Sequence, residues 1–152
     1  MHPPFKEISK YFEAPELMVV ASSQDNKPHT STVFFCFDDD LNIYFLSAVK
    51  RRHSQEILKN PNVSVAIANH GVKWGGVMKG LQIEGTCAAL TGEEARKAFQ
   101  IYAKRFPKAK VLEEEFSGRS GKGNHRVWKV VPSKIKVWDE RKYEYEGKVF
   151  EA

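Results

Sequence analysis

Pro28-His29-Thr30-Ser31-Thr32-Val33-Phe34-Phe35, followed by Leu41-Asn42-Ile43-Tyr44-Phe45-Leu46-Ser47, is the stretch on which the fold turns. β-Branched and aromatic side chains crowd both runs, and such residues suit a pleated, half-buried surface. Asp38-Asp39-Asp40 supplies turn chemistry between them, so the pattern predicts strands over 30–38 and 42–46. Upstream, Leu17 to Ser22 reads as a third strand, joined through the polar turn Gln24-Asp25-Asn26-Lys27-Pro28. Two hairpins that share a central strand make an antiparallel meander.

Outward from this core the periods alternate. Phe5, Ile8, Tyr11 and Phe12 recur at helical spacing, which predicts a short amphipathic helix to about Glu13, ended by Pro15. Ser54 to Lys59 reads as a short helix stopped by Asn60-Pro61-Asn62, and Val63, Val65 and Ile67 alternate in a strand to Asn69. A glycine-bearing loop over 70–76 leads into a long strand over 77–90, where Gly80 and Gly85 permit the bends that a closed barrel needs. Thr91 and Glu94 have capping-box spacing ahead of a helix whose apolar face is Ala95, Ala98, Phe99, Tyr102, Ala103 and Phe106, up to Pro107. The stretch 116–126, with Gly118, Gly121 and Gly123 among Arg119, Lys122, His125 and Arg126, reads as a basic loop. Val127 to Val131 and Lys134 to Trp138 are two closing strands interrupted by Pro132. The last dozen residues, with Tyr143, Tyr145 and Phe150, are expected against a partner subunit.

Composition narrows the class. A chain of 152 residues with 41% hydrophobic, 12% aromatic and 28% charged residues is of the size and kind that forms one globular domain, so residues 1–152 are read as a single unit. No apolar run approaches the length of a membrane span, and the opening segment lacks the basic-then-apolar order of a secretory signal. A cytoplasmic location and no membrane partner are therefore expected. Cys36 and Cys87 read as buried thiols, and His70 and His125 lack the spaced partners of a metal site. The 24 Lys and Arg against 19 Asp and Glu, net +5, favour anionic partners without choosing among phosphates, nucleic acid and acidic membranes.

The order of these pieces resembles the FMN-binding split barrel of pyridoxamine 5'-phosphate oxidase-like proteins. The matching residues are the two strands quoted above, then Ser47-Ala48-Val49-Lys50-Arg51-Arg52-His53-Ser54-Gln55-Glu56-Ile57, Asn60-Pro61-Asn62-Val63-Ser64-Val65, and Lys79-Gly80-Leu81-Gln82-Ile83-Glu84-Gly85-Thr86. Together they span roughly residues 15 to 138. The run Tyr102-Ala103-Lys104-Arg105-Phe106-Pro107-Lys108-Ala109 resembles a less characterised branch rather than the oxidase itself. The expected fold is thus mainly β, an antiparallel split barrel with flanking helices.

The resemblance implies cofactor contacts at Ser31, Thr32, Val33, Phe34 and Phe35, mostly through backbone, then at Leu46 and Ser47, at Arg52 and His53 with Lys50 and Arg51 adding charge, and at Gly80 or Gln82. A dianionic phosphate suits a guanidinium fork, a hydroxyl and a helix amino end. His53 stands where the oxidase has lysine, which weakens the clamp at neutral pH unless an anion raises the histidine's affinity for a proton. The glycines at 80 and 85 are equally read as bends, and Trp74, Trp128 and Trp138 as packing residues of which one could cover the ring. The resemblance implies a homodimer with flavin at the subunit interface and a flavin-dependent oxidoreductase acting on a small molecule. The oxidase's carboxy-terminal substrate residues are not recognisable over 139–152, and no catalytic acid or base stands out, with Tyr44, His70 and His125 only conceivable proton donors. The rival class is a non-catalytic binding module: a flavin or haem carrier, a deazaflavin relative, or, less favoured, a basic barrel gripping nucleic acid.

Overall fold

The computed structural model describes residues 5–116 and 123–151. Seven strands form one antiparallel sheet: β1 Leu17–Gln24, β2 Lys27–Phe37, β3 Ile43–Ala48, β4 Asn62–Ala68, β5 Lys79–Ala89, β6 His125–Asp139 and β7 Lys148–Glu151. Their order is β3-β2-β1-β4-β5-β6-β7, and β6 also pairs with β3, which closes six strands into a barrel. The closure is uneven. β1 meets β4 only over Val19–Ala21 against Ala66–Ser64, and one edge of β6 is shared, its first half with β3 and its second with β7. This is the mainly β split barrel that the sequence predicts. Among the described residues no helix is long and apolar enough to cross a membrane.

Local chemistry explains the joints. Asp25 and Asn26 form the β1–β2 turn with φ of 51° and 60°, the left-handed geometry that lets a two-residue loop follow the strand twist. At Gly80 and Gly85 a methyl group would run into the carbonyls of Ile67 and Val131, so glycine is required by close backbone approach. The barrel interior is filled by Phe35, Ile43, Phe45, Ile67, Leu81, Ile83 and Trp128, all essentially inaccessible to water and each contributing on the order of 1.5–3 kcal/mol. Helix α4, Gly92–Arg105, covers a second cluster with Cys36, Tyr44, Phe99, Tyr102 and Val127. Cys36 and Cys87 are free and buried in separate clusters, as read from the sequence, and burial pushes each thiol up to about 12.

Three readings need revision. The amino-terminal helix is two turns, α1 Phe5–Ile8 and α2 Lys10–Glu13, broken at Ser9. Helix α3 runs Arg52–Lys59 and starts before Ser54, whose Oγ instead donates to the Ala48 carbonyl at 2.8 Å. Pro132 does not divide β6, because the register shifts opposite Glu84 and Gly85, and Pro132 sits at that irregularity. The carboxy-terminal segment also makes contacts within its own chain, β7 pairing with β6 and the Tyr143 hydroxyl donating to Glu7, while Tyr145 stays exposed. Thr91 occupies the cap of α4 but makes no side-chain bond there. Of the predicted basic loop, residues 117–122 lie outside the described residues.

Candidate functional site

Strand β2 is two-faced, and that property builds the site. Ser31 and Val33 lie opposite Val20 and Met18, both buried, so His29, Ser31, Val33 and Phe35 point to the interior face. Thr30, Thr32 and Phe34 point outward. On β3, Ser47 follows Ile43 and Phe45 on the interior face. Helix α3 caps this end of the barrel and inserts His53 between the two strands. His53 Nε2 lies 2.7 Å from Ser47 Oγ, and Nδ1 lies 3.0 Å from Ser31 Oγ. His29 Nε2 extends the chain, 3.4 Å from Ser31 Oγ. The floor is aromatic: the Phe45 ring centre is 6.3 Å from that of His53 and stacks on Trp128, whose indole donates to the Ser47 carbonyl at 3.1 Å. His53 is 8% exposed, and burial first, then the neighbouring His29 and Arg51, hold its proton affinity below the ordinary value against the pull of Glu56.

The basic segment is propped rather than loose. The Arg51 amide and the Ser54 hydroxyl both donate to the Ala48 carbonyl, and Gln55 Nε2 donates to the Val49 carbonyl at 2.7 Å. Arg52 Nε donates to Glu56 Oε1 at 2.7 Å, while the Ser22 hydroxyl donates to Glu56 Oε2 at 2.8 Å. Glu56 is buried, and these bonds, that from Arg52 first, hold its carboxyl below the usual carboxylate range. Lys50 and Arg51 are exposed at the mouth.

The outward faces of β2, β1, β4 and β5 form a second surface beside this end. Val19, Ala21, Thr30, Ser64, Ala66 and Gln82 line a cleft of about 550 Å³ edged by Glu84, Lys134 and Lys136. Trp138 borders a smaller adjoining cleft with Ala68, Met78 and Gly80. Its indole N–H is buried with no partner among the described residues, an unusual cost for a donor. Phe34 stands 50% exposed on the same sheet face, edge-on to Phe106.

The structure therefore sorts the predicted residues into groups. Ser31, Ser47 and His53 meet directly; Lys50, Arg51 and Arg52 are exposed on the segment that leads into His53; Thr32, Phe34 and Gln82 lie on the outward face. Val33 packs against the core. Two others are otherwise committed. Phe35 is in the core, its amide donates to the Glu16 carbonyl and its carbonyl accepts from Arg105, so neither its ring nor its backbone polar groups are available. Leu46 packs under α4. Gly80 is explained by the close β4–β5 approach, and Trp138 is its partner across the β5–β6 ladder. Sequence reasoning missed His29, Ser22, Glu56 and the orphaned Trp138 donor. Only Glu56 had a local signal, its four-residue spacing from Arg52.

A family model described as pyridoxamine 5'-phosphate oxidase matches residues 5–139, nearly the whole chain. This chain belongs to that family. Within the pyridoxamine 5'-phosphate oxidase family it is similar to the UPF0306 protein YhbP of Escherichia coli O157:H7, 28% identical over 134 residues, 87% of this chain and 82% of that protein. Solved structures of like fold include a FAD-binding protein from Mesorhizobium loti, with TM-score 0.67 and 17% identity over 88% of this chain and 93% of that one. Another is a haem-binding protein from Mycobacterium smegmatis, with TM-score 0.74 and 13% identity over 100% of this chain and 59% of that one. Likeness at these identities shows the fold alone. The residues present fit a phosphate-bearing flavin. Two hydroxyls and an imidazole converge where the basic segment 50–52 enters α3, and Trp138, its N–H buried without a partner among the described residues, borders an adjoining cleft whose walls are mostly apolar.

Proposed function

We propose that the chain binds FMN, its phosphate at the Ser31–His53–Ser47 cluster and its ring along the outward sheet face, and acts as a flavin-dependent oxidoreductase on a small molecule. The observation that carries the reading is the convergence of both serines on His53 at the start of α3, with Arg51 and Arg52 beside it. Hydroxyl and guanidinium donors are the groups that hold a phosphate monoester, and those on a rigid helix and two strands are pre-oriented for it. Bound FMN would supply hydride transfer through its ring. The chain's own contribution is to orient it, with the Trp138 N–H as a donor seeking an acceptor and the small residues Ala21, Ser64 and Ala66 leaving room for a flat ring.

A homodimer belongs to the same reading. The outward face is open on the single chain, Val19 and Phe34 are exposed there, and a second copy would exclude water from a flavin laid on it. The FAD-binding relative of like fold supports a flavin, and the haem-binding one makes haem the alternative cargo. The absorption spectrum of the purified protein, before and after addition of FMN and removal of excess, separates them. Retained flavin bands, with FMN identified by mass, are expected; a haem spectrum, or failure to retain FMN, would replace the reading.

A further inference from the structure

His53 lies between two hydroxyls, one on each ring nitrogen. A neutral imidazole has one N–H and one bare nitrogen, so it donates to one serine and accepts from the other. The serine that donates inward has no proton left for a ligand. A protonated imidazole donates to both, and each hydroxyl is then released to donate outward. The surroundings fix which form rests there without a ligand. Burial first, then the neighbouring His29 and Arg51, disfavour a positive charge and outweigh the opposite pull of Glu56. Glu56, the acid one turn along, has one oxygen occupied by Arg52 and the other by Ser22. On β6, Arg126 lies across the ladder from Ser47 and turns its guanidinium to the carbonyls of Gly123 and His125. The acid nearest the cluster thus already has both oxygens committed to Arg52 and Ser22.

We propose that binding a phosphate monoester at this cluster is coupled to uptake of one proton by His53, which turns both Ser31 and Ser47 into outward donors. The inference rests on the phosphate placement given under Proposed function. Its consequence is a site that selects the dianion and tightens as pH falls. The sign follows from linkage. The free site holds the histidine below its ordinary proton affinity, a bound dianion raises it, and between those two values each binding event takes up a proton. A phosphate monoester is itself a dianion above roughly pH 6, so the window from pH 8 to about 7 isolates the histidine. One fully coupled proton tightens binding up to about tenfold per pH unit.

Titration calorimetry of FMN into the full chain at about pH 7.5, in two buffers of different ionisation heat, counts the protons. Wild type is expected to take up close to one proton per FMN and to bind several-fold tighter at pH 7 than at pH 8. His53→Lys, which carries its own fixed charge, is expected to bind with no uptake and a flat pH profile, and His53→Gln serves the same purpose if the lysine disturbs folding. His29→Gln is expected to keep the uptake, and riboflavin, which lacks the phosphate, to show none. FMN bound by wild type without proton uptake overturns the coupling while leaving the phosphate site in place. Uptake that survives in both His53 variants and vanishes in His29→Gln moves the proton to His29 and overturns it as well. Failure of every form to bind FMN removes the phosphate placement and the coupling together.

Discussion

The two longer helices each bring an arginine to the barrel, and the two guanidiniums meet opposite fates. Arg105, in the last turn of α4, donates to the carbonyls of Phe35 at 3.0 Å, Glu13 at 3.1 Å, Phe12 at 3.3 Å and Pro15. Its guanidinium carbon lies 4.8 Å over the Phe35 ring and 5.5 Å from that of Phe106. Both terminal nitrogens are turned onto backbone carbonyls, those of Phe12, Glu13 and Pro15 at the end of α2 and that of Phe35 on β2. Arg52, in the first turn of α3, makes one contact, to Glu56, and its side chain is 58% exposed. That contact holds the side chain by its Nε and leaves both terminal nitrogens without a partner among the described residues. A cation whose terminal nitrogens are both held by backbone is part of the scaffold; one that is propped by a buried acid and open at its fork is placed to meet something else.

The comparison is broken most directly at Arg105. Arg105→Ala removes charge-assisted bonds and leaves half-buried carbonyls unpaired, which should cost about 3 kcal/mol and lower the melting temperature by roughly 6–12 °C. Arg105→Lys should recover little, since an ammonium on a flexible stem cannot serve carbonyls on two elements at once. A variant that melts with wild type would show that Arg105 is not the tie between α2, β2 and α4. Arg52→Ala is the counterpart. Its stability loss should be smaller, about 1 kcal/mol, since the exposed arginine gives up one bond and Ser22 still donates to the buried Glu56, while FMN affinity should fall about 10- to 100-fold. Fluorescence titration with FMN reads this, and unchanged affinity would return Arg52 to the solvated surface.

How much of this contrast was legible in the sequence follows from the range of the forces involved. The strands β1 to β5 and helix α4 are set by alternation and helical period, which are local, and they stand within a few residues of where the pattern puts them. The start of α3 was misplaced because Arg51, its cap residue, makes no side-chain cap bond and so lacks the usual signal, whereas Ser54, which has it, sits inside the first turn. The continuity of β6 through Pro132 depends on a bulge formed with a partner strand about fifty residues away, and no local rule contains that. The same holds at the site. The basic run and the two serines were visible, but that His53 would be buried between Ser31 and Ser47, that Phe35 would face the core, and that Arg105 rather than Arg52 would be the structural cation are all facts of register and tertiary packing.

The smallest expected effect sharpens the comparison from the side of the prop. Glu56 accepts from both Arg52 and Ser22, and these bonds hold its folded-state pKa below the unfolded value of 4.5. A carboxylate of that kind stabilises the fold above about the unfolded value, and the contribution is lost as pH falls through the lowered folded one. Glu56→Gln keeps the size and one acceptor but has no charge to lose. Its melting temperature should therefore lie below that of wild type at neutral pH, and the gap should close as both are acidified past pH 4.5 towards the lowered folded value. Other acids titrate in both proteins alike, so the difference between the two curves isolates this group. The same variant frees the Arg52 side chain without deleting it, and FMN affinity should fall by less than in Arg52→Ala, by no more than about tenfold. Parallel melting curves, with affinity unchanged, would mean that Arg52 needs no prop and that the contrast with Arg105 is one of exposure alone.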